Sequence, residues 1–486
     1  MAKALFGVLL LFFLGAWAKE GPEVVTLLID GKEAVQITTG LVRYQFLAEG
    51  GVLRSAYVHF STYGANPFEV VPGWTGASLP PGISLPFEVW LGDTPLLQKH
   101  TAEIKELSDR TISLTLSFAE EKLRVKKEFT LAQDALYTGD FGVSVDGEGS
   151  VRLILGHLPA GRDAPELVYI YDGKLQKAPL APGAYTRFQG LGLLGKDGVF
   201  FFRIDGGEAQ PFLGRNAAGQ PVFGVEAKDS LHLQGRFYTG RNRYVLLVDT
   251  GFAPLASSGS FTIILVGVIR FFEWLYRFTG NYGWAIILFT IITRFVLYPL
   301  MRNQYRSMAK MQKLAPKIKK IQERFKDDRE ALQKQLLELY RQEKVNPLGG
   351  CLPMLLQFPI LILLWQAIMY SAEKIHLSPA FLWISDLSKP DPYYLLVVMG
   401  TGVQILYSWY TQRRMPQEAG AGSQFLGYVF PLLMAVLFLS FPAGLWLYWT
   451  LTTIVQFGQQ LVIDWELARE EKRRVPQAGK DGGEGS

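Results

Sequence analysis

The sequence predicts a multidomain membrane protein: an antiparallel β-sandwich, followed by an all-α core of five transmembrane helices that carries a helical hairpin. Two observations support this fold class. Short runs that alternate apolar and polar residues fill positions 20–255, and Asp-Gly turn signals separate them. Long apolar runs are confined to the second half of the chain, where five of them have about the length of a bilayer span.

Composition narrows the classes of function. The chain has 486 residues and a net charge of +5, which is too small to indicate nucleic-acid binding by itself. Cys351 is the single cysteine, so neither an internal disulfide nor a cysteine-based zinc site can form, and the five histidines have no metal-ligand spacing. We therefore predict no cofactor, no metal and no specific nucleic-acid partner.

Residues 1–19 are predicted to be a signal sequence or an N-terminal membrane anchor. Lys3 precedes an apolar stretch that is short for a span, and Ala16-Trp17-Ala18 fits a signal-peptidase cleavage pattern. Both alternatives export the domain that follows and leave Lys3 on the inner side.

Residues 20–255 are predicted to form the exported β-sandwich. The runs with the clearest strand character are 23–29, 111–118, 123–131, 199–204, 230–237 and 244–248. Turn signals lie at Asp30-Gly31, Asp172-Gly173, Asp197-Gly198 and Asp205-Gly206.

One glycine-rich motif in this domain has the spacing of a nucleotide site. Residues 190–195 fit GxGxxG, but a dinucleotide site needs a helix after the motif, and a strand-like run follows here instead. We interpret the motif as a glycine-rich β-turn.

Residues 258–279 are predicted to form an amphipathic helix that lies in the membrane interface. Apolar residues recur at helical spacing from Phe261 to Phe278, but Arg270, Glu273 and Arg277 make a spanning helix unfavourable. The alternative is that this segment is part of a longer spanning helix.

The five transmembrane helices are predicted at 284–301, 351–372, 393–412, 424–441 and 445–463. Basic residues are concentrated in the 302–347 connection, at Arg413-Arg414 and in the tail 464–486. Because basic loops face the cytoplasm, these three segments are predicted to be cytoplasmic, and the β-domain lies on the opposite side.

The 302–347 connection is predicted to be a cytoplasmic helical hairpin. Asp327-Asp328 marks a turn and a helix N-cap between two apolar stripes. The first stripe comprises Met308, Met311, Leu314, Ile318, Ile321 and Phe325. The alternative is a charged loop on the membrane surface.

Several motifs in the second half resemble the YidC family of membrane protein insertases, in the family's order and spacing. They include Gly280-Asn281-Tyr282-Gly283-Trp284, Tyr298-Pro299-Leu300, Ser307-Met308-Ala309-Lys310-Met311, residues 345–353, Asp391-Pro392-Tyr393-Tyr394 and Phe441-Pro442-Ala443-Gly444-Leu445. The β-domain resembles the periplasmic domain of the family's double-membrane members in its position and strand pattern.

The resemblance implies a non-enzymatic insertase and chaperone of the bacterial inner membrane, with its β-domain in the periplasm and its C-terminus in the cytoplasm. Its implied partners are nascent membrane proteins, the Sec translocon, ribosome–nascent chain complexes and the lipid bilayer. A positively charged groove would receive hydrophilic substrate segments before their helices enter lipid. The residues that match groove positions are Arg294, Thr290, Pro353, Gly444, Tyr448 and Trp449. Trp449 stands where relatives often have a second tyrosine.

Arg294 is predicted to be the functional centre, and Gln357 is expected to add polar lining from another helix. Two alternatives stay open at this point. Arg294 could instead reach the headgroups as a snorkelling anchor, or serve a small-molecule or ion transporter as a substrate site. No internal repeat relates 284–372 to 393–463, whereas transporters often contain such repeats.

Overall fold

The computed structural model describes residues 21–62, 65–71, 83–159, 161, 163–177, 187–256, 260–326, 328–343, 352–413 and 421–474. The predicted N-terminal segment 1–19 and Cys351 lie outside these residues. The chain divides into two units, and the boundary falls at Ile263. Strands dominate the first unit and helices form the second.

A five-stranded antiparallel sheet begins the first unit. Its first hairpin turns at Asp30 and Gly31, which both have positive φ values, 52° and 76°. This is the backbone geometry of a type I′ turn, so the predicted turn at this position is confirmed. In chain order and in space the strands are β1 (Glu23–Ile29), β2 (Lys32–Thr38), β3 (Val42–Leu47), β4 (Val52–Val58) and β5 (Phe68–Glu69).

A twelve-stranded antiparallel sheet forms the rest of the strand-rich unit. Its main path is β13-β12-β14-β15-β17-β11-β10-β9-β8. The strands are β6 (Glu88–Leu91), β7 (Thr94–Pro95), β8 (Thr101–Ser108), β9 (Thr111–Glu120), β10 (Leu123–Ala132), β11 (Thr138–His157), β12 (Glu166–Tyr171), β13 (Lys174–Lys177), β14 (Phe188–Leu194), β15 (Gly198–Gly206), β16 (Gln210–Arg215) and β17 (Pro221–Arg241).

Aromatic side chains hold the two sheets face to face. The Phe46 and Phe129 ring centroids are 4.6 Å apart, and the Tyr44 hydroxyl lies 2.9 Å from the Thr239 hydroxyl. Phe87 contacts Phe129 edge to face at 4.7 Å. Burying such rings removes a large apolar area from water. The prediction of an antiparallel sandwich is confirmed.

Lys127 is a buried cation between these sheets. In β10 the inward positions alternate, so Val125, Lys127 and Phe129 all point into the core. The Lys127 ammonium donates to the carbonyl oxygens of Gly50 at 2.6 Å, Gly51 at 3.0 Å and Phe87 at 2.7 Å. Burial lowers the pKa of Lys127 to about 7.

One predicted strand, 244–248, is wrong. The structure has a short helix, α1 (Tyr244–Asp249), in which Val245, Leu246 and Leu247 are all buried. Successive side chains of a strand point to opposite faces, so a strand with one exposed face cannot bury three in a row. A single helical turn that is surrounded by other residues can. The Thr250 hydroxyl ends the helix by donating to the Leu246 carbonyl at 2.7 Å.

The glycine-rich motif at 190–195 lies mostly in strand β14 and not in a turn. A Cβ on Gly190 would lie 2.2 Å from the Phe202 carbonyl oxygen, and one on Gly192 would lie 2.2 Å from that of Phe200. These glycines therefore allow close approach of neighbouring backbones. Only the end of the motif turns, where the Gly195 amide donates to the Gly198 carbonyl at 2.9 Å.

The second unit consists of helices. Two of the motifs that the sequence singled out contain side chains that cap helices. Asn281 Oδ1 accepts from the Gly283 amide, and Asp391 Oδ2 accepts from the Leu396 amide at 2.7 Å. The helices are α2 (Ser260–Thr279), α3 (Tyr282–Arg324), α4 (Arg329–Gln342), α5 (Leu352–Tyr370), α6 (Ala372–Leu377), α7 (Leu395–Gln412), α8 (Ala421–Leu437) and α9 (Ala443–Arg474).

Helix α2 has apolar residues on two faces. Ile269, Phe272 and Leu275 are buried against the other helices, whereas Trp274 and Phe278 are exposed. The predicted stripe from Phe261 to Phe278 therefore mixes buried and exposed positions. An exposed apolar face is compatible with the interfacial location, which stays a prediction.

Helix α3 is one continuous helix of 43 residues, about 65 Å long at 1.5 Å per residue. No helix end marks the predicted boundary at 301–302, so that boundary stays a prediction. Asp328 caps α4 by accepting from the Ala331 amide at 2.9 Å, as predicted for the turn. Lys317 and Glu343 form an ion pair at 2.5 Å that joins α3 to the end of α4.

Among the described residues one helical segment, Tyr282–Arg302, is long and apolar enough to cross a membrane by length and composition. Pro359–Tyr370 and Tyr428–Leu437 are apolar but shorter. The five predicted spans correspond to parts of α3, α5, α7, α8 and α9. That all five cross the bilayer stays a prediction.

Candidate functional site

Helices α3 and α9 lie side by side and run in the same direction. Near their first turns, a Cβ on Gly444 would lie 3.1 Å from Ile286 Cδ1. Further along, the Gln459 amide nitrogen donates to the Arg294 carbonyl at 3.2 Å. Arg302 Nε donates to Glu466 Oε2 at 2.8 Å beyond that point. The candidate site lies along this pair of helices.

Thr290 and Arg294 occupy the middle of α3, and both are buried: Thr290 is 0% exposed and Arg294 is 3% exposed. They are one turn apart and therefore share a face of the helix. The Thr290 hydroxyl donates to the Ile286 carbonyl at 2.7 Å, so its proton is used within the helix. The side chain of Arg294, the charged residue that the sequence singled out, is therefore buried within the helical unit.

Tyr448 and Trp449 are adjacent on α9 but contact different surroundings. Tyr448 is buried in an apolar cluster with Phe289 and Leu364. Trp449 stacks on Trp446 with ring centroids 5.8 Å apart. About 100° separates neighbouring residues on a helix, so the two side chains leave α9 in different directions, although Trp446 belongs to the same apolar cluster as Tyr448.

Gly444 lies at the start of α9, where it makes structural contacts. Its amide donates to the Leu387 carbonyl at 2.9 Å, and the Ala443 amide donates to the Lys389 carbonyl at 2.7 Å. A Cβ at this position would lie 3.2 Å from the Leu387 carbonyl oxygen. The glycine allows the 387–389 loop to cap the helix.

Pro353 and Gln357 lie in the first two turns of α5. The structure describes the backbone there but not these side chains. Their predicted place in the lining stays a prediction.

Polar residues of α9 that the sequence analysis did not single out lie closest to the Arg294 backbone. Gln459 bonds the Arg294 carbonyl directly, and Thr452 lies two turns before it on the same face. Gln456 instead contacts α7, where it donates to the Tyr407 hydroxyl at 3.2 Å, and it is not part of the α3 contact. The signal was present in the sequence, because Thr452, Gln456 and Gln459 recur at helical spacing within an apolar stretch.

Ion pairs and hydrogen bonds tie the far ends of the helices together. Arg302 Nη2 donates to Glu466 Oε2 at 2.5 Å, in addition to the Nε bond. The Tyr410 hydroxyl donates to Asp464 Oδ2 at 2.9 Å. Both carboxylates belong to α9, so this helix joins α3 and α7.

The opposite end is closed by the loop between α6 and α7. Asp386 Oδ2 lies 2.7 Å from His376 Nδ1, and Asp386 Oδ1 accepts from the Ser388 hydroxyl at 2.6 Å and the Ser388 amide at 2.9 Å. Burial alone would raise the pKa of Asp386, but these bonds and the His376 partner outweigh it and lower that pKa. This carboxylate is thus fully engaged in holding the loop.

The chemistry available at the centre is electrostatic. Among the residues that the structure describes, no three His, Cys, Asp or Glu side chains are grouped to hold a metal ion. The Thr290 hydroxyl donates its proton to a backbone carbonyl, which is not a base that could activate it as a nucleophile. A buried guanidinium suits the binding of anionic and polar groups.

Comparisons with known proteins show which family the chain is similar to. The family described as 60Kd inner membrane protein matches residues 274–470. The membrane protein insertase YidC of Laribacter hongkongensis (strain HLHK9) is 30% identical over 512 residues, which cover 94% of this chain and 90% of that protein. That of Geobacter sp. (strain M21) is 39% identical over 244 residues, which cover 50% of this chain and 42% of that protein. The chain thus matches less than half the length of the Geobacter relative.

Solved structures show a likeness of fold. The crystal structure of an active YidC insertase with its first transmembrane domain resolved has a TM-score of 0.61 and 23% identity, and the match covers 94% of this chain and 98% of that one. YidC from Thermotoga maritima has a TM-score of 0.52 and 19% identity, with 90% and 99% covered.

Proposed function

This chain belongs to the YidC family, and from that premise we propose that it is a membrane protein insertase and chaperone. It receives hydrophilic segments of nascent membrane proteins next to Arg294 and releases their apolar helices into lipid. The observation that carries the proposal is the burial of Arg294, 3% exposed, within the apolar segment Tyr282–Arg302.

The burial of Arg294 argues against a snorkelling anchor. A charge at the centre of a span costs about 2.5–3.5 kcal/mol on insertion scales. A snorkelling arginine lowers that cost by extending its guanidinium to the headgroups, and it would then be exposed on the helix surface. Arg294 is instead enclosed by the helical unit, eight residues before Arg302 and thus about 12 Å deeper at 1.5 Å per residue.

The role of Arg294 is electrostatic reception. Its guanidinium stays ionised because arginine is the most strongly basic side chain and keeps its proton in proteins. In surroundings of low dielectric constant, a fixed positive charge attracts acidic and polar groups far more strongly than in water. A polar segment can then wait part-way across while the apolar helix that precedes or follows it enters lipid.

The partners follow from this role and from family membership. They are nascent membrane proteins and the lipid bilayer, and, as further proposals, the Sec translocon and ribosome–nascent chain complexes. We place the protein in the bacterial inner membrane with the β-domain in the periplasm and the C-terminus in the cytoplasm. The basic character of 302–347 and of the tail supports this orientation.

The proposal is tested in proteoliposomes that contain the full-length protein and a short single-span substrate. One substrate carries an acidic translocated tail and another carries a neutral tail of equal length. Arg294→Ala should slow insertion of the acidic-tailed substrate about tenfold or more, equivalent to about 1.4 kcal/mol, and Arg294→Lys should keep most of the activity because it keeps the charge. Protease protection of the tail measures insertion.

Arg413→Ala is the matched control, because Arg413 is an exposed arginine that lies over the Trp409 ring at the end of α7. It should insert both substrates at the parent rate. Equal insertion of both tails by Arg294→Ala and the parent, at equal protein abundance, would mean that the charge is only an anchor. A small-molecule or ion transporter, the other reading of the sequence, would insert neither substrate.

A further inference from the structure

On the face of α9 toward α3, two buried oxygen atoms have no hydrogen-bond partner among the residues that the structure describes. They are Thr452 Oγ1 and Gln459 Oε1. Buried polar atoms are nearly always hydrogen-bonded, since leaving one unpaired costs about 1–3 kcal/mol. Two such atoms on the helix that contacts the Arg294 backbone carbonyl therefore call for an explanation.

The orientation of the Gln459 carboxamide follows from its one bond. Its partner, the Arg294 backbone carbonyl, can only accept, so the group facing it at 3.2 Å must be the amide N–H. This bond fixes the orientation of the carboxamide. The Oε1 atom is therefore the end of the side chain that remains available, and it can only accept.

Thr452 differs from the other threonines in these helices. Thr290, Thr401 and Thr453 each donate their hydroxyl proton to the carbonyl four residues earlier, at 2.7–3.0 Å. Such bonds are the usual way in which a buried threonine is satisfied within a helix. Thr452 is only 4% exposed, yet its hydroxyl makes no such bond. It keeps both its proton and its lone pairs.

Both atoms lie on the side of α9 that faces α3. At 100° per residue, Tyr448, Thr452 and Gln459 lie within about 40° of one another. Gln459 contacts α3 directly, and so do Gly444 and Glu466 on the same stripe. Gln460, which also has an oxygen without a partner among the described residues, lies about 100° away and has no part in this argument.

We propose that Thr452 and Gln459 form the acceptor half of the receiving site, and that they select uncharged hydrogen-bond donors in the translocated segment. The chemical class is the carboxamide of Asn or Gln side chains, together with backbone amide N–H groups next to them. Arg294 offers only donors and therefore suits carboxylates, whereas Gln459 Oε1 can pair only with donors. This inference rests on the proposed function and extends it to a second substrate class.

A specific set of variants tests the two halves separately. Gln459→Met and Thr452→Val remove the acceptors while keeping side-chain size, and the full-length protein is assayed in proteoliposomes. The substrates are single-span proteins whose tails carry Asn and Gln, or Asp and Glu at the same positions. Each acceptor variant should slow the amide-tailed substrate about fivefold, the equivalent of one net hydrogen bond, and change the acidic-tailed substrate less than twofold.

The controls are Gln456→Met and Thr401→Val, which make the same chemical changes at side chains whose hydrogen bonds are already used by Tyr407 and by the α7 backbone. They should not distinguish the two tails. An equal loss for both tails in Gln459→Met and Thr452→Val would overturn the inference and show a packing role only.

Unchanged insertion of the amide tail by both acceptor variants would also overturn it. If Arg294→Ala still impairs the acidic tail in that experiment, the proposed function survives while the acceptor site fails. If no variant of either half affects any tail, the proposed function fails as well.

Discussion

Lys127 in the β-domain and Arg294 in the helical unit are both buried cations, but their surroundings differ. The three ammonium protons of Lys127 meet three backbone carbonyls, so its hydrogen-bonding capacity is consumed within the fold. On α9, the helix that contacts the Arg294 backbone carbonyl, two oxygen atoms on the face toward α3 have no partner among the described residues. Equal burial therefore does not imply an equal role. Buried groups whose hydrogen bonds are all made within the fold contribute to stability. Buried polar groups without a partner in the described part of the chain point to ligand binding.

The largest effect is expected from Lys127→Met. The substitution keeps the apolar stem but leaves the carbonyls of Gly50, Gly51 and Phe87 buried without their donor. We expect the free energy of unfolding of the β-domain to fall by about 3–5 kcal/mol. Hydrogen exchange of the β10 and β11 amides in the full-length protein measures it.

Lys126→Met is the matched control, because Lys126 is the exposed neighbour in the same strand and forms an ion pair with Glu128 at 2.5 Å. Exposed pairs contribute little, so its effect should stay below about 0.5 kcal/mol. If Lys127→Met were equally mild, or if it altered the tail preference of insertion without altering stability, the contrast between the two cations would be wrong.

The sequence predicted strands best where alternation is local. The runs at 23–29, 111–118 and 123–131 all lie in observed strands, and the turns at Asp30-Gly31 and Asp172-Gly173 have positive φ at both residues. The inward position of Lys127 could also be read from this alternation. Its acceptors could not, because residues 50, 51 and 87 come from distant segments that only the folded sandwich brings together.

The helical unit was harder to predict in two respects. Hydropathy falls near 301 and predicts a boundary there, but good helix formers such as Met, Arg, Gln and Ala continue past that point and the helix does too. Arg294 stood out as a charge in an apolar run. Thr452 and Gln459 did not, because uncharged polar residues interrupt hydropathy only weakly, and their proximity to α3 depends on how α9 packs.

An intermediate effect is expected from Asp386→Asn. This variant tests whether a carboxylate of the helical unit that is fully hydrogen-bonded within the fold also contributes to stability, as Lys127 does in the β-domain. The bonds from His376 and Ser388 hold its charged form, and hydrogen bonds to charged groups contribute about 1.5–3 kcal/mol each. We expect the 378–394 loop to lose about 2 kcal/mol of protection against hydrogen exchange at pH 7. Tail preference should not change.

The lowered pKa of Asp386 also predicts in which direction the stability changes with pH. The pKa of Asp386 is lowered in the folded protein, so between its folded value and the usual value near 3.9 the unfolded chain binds more protons. The stabilisation is therefore complete above about pH 4 and is lost as pH falls through the folded pKa. The parent and Asp386→Asn should converge below that point. A difference that does not shrink at any pH at which the protein stays folded, while the Asp386 carboxylate is seen to protonate, would contradict the assignment.

The smallest effect is expected from Asp328→Ala, at the exposed start of α4. Asp328 accepts from the Ala331 amide at 2.9 Å, so the alanine variant leaves one of the first helical amides without its cap. The expected loss is about 1 kcal/mol of local helix stability, seen as faster hydrogen exchange at 329–342. Asp328→Asn keeps the acceptor and should retain most of the protection. If Asn behaved like Ala, the contribution would come from the negative charge near the helix N-terminus and not from the hydrogen bond.

Neither variant should change which substrate tails are inserted, because the bond between Asp328 and Ala331 is made within the fold and lies far from Arg294 along the chain. A tail-specific change would show that polar groups outside the α3–α9 pair also select substrates.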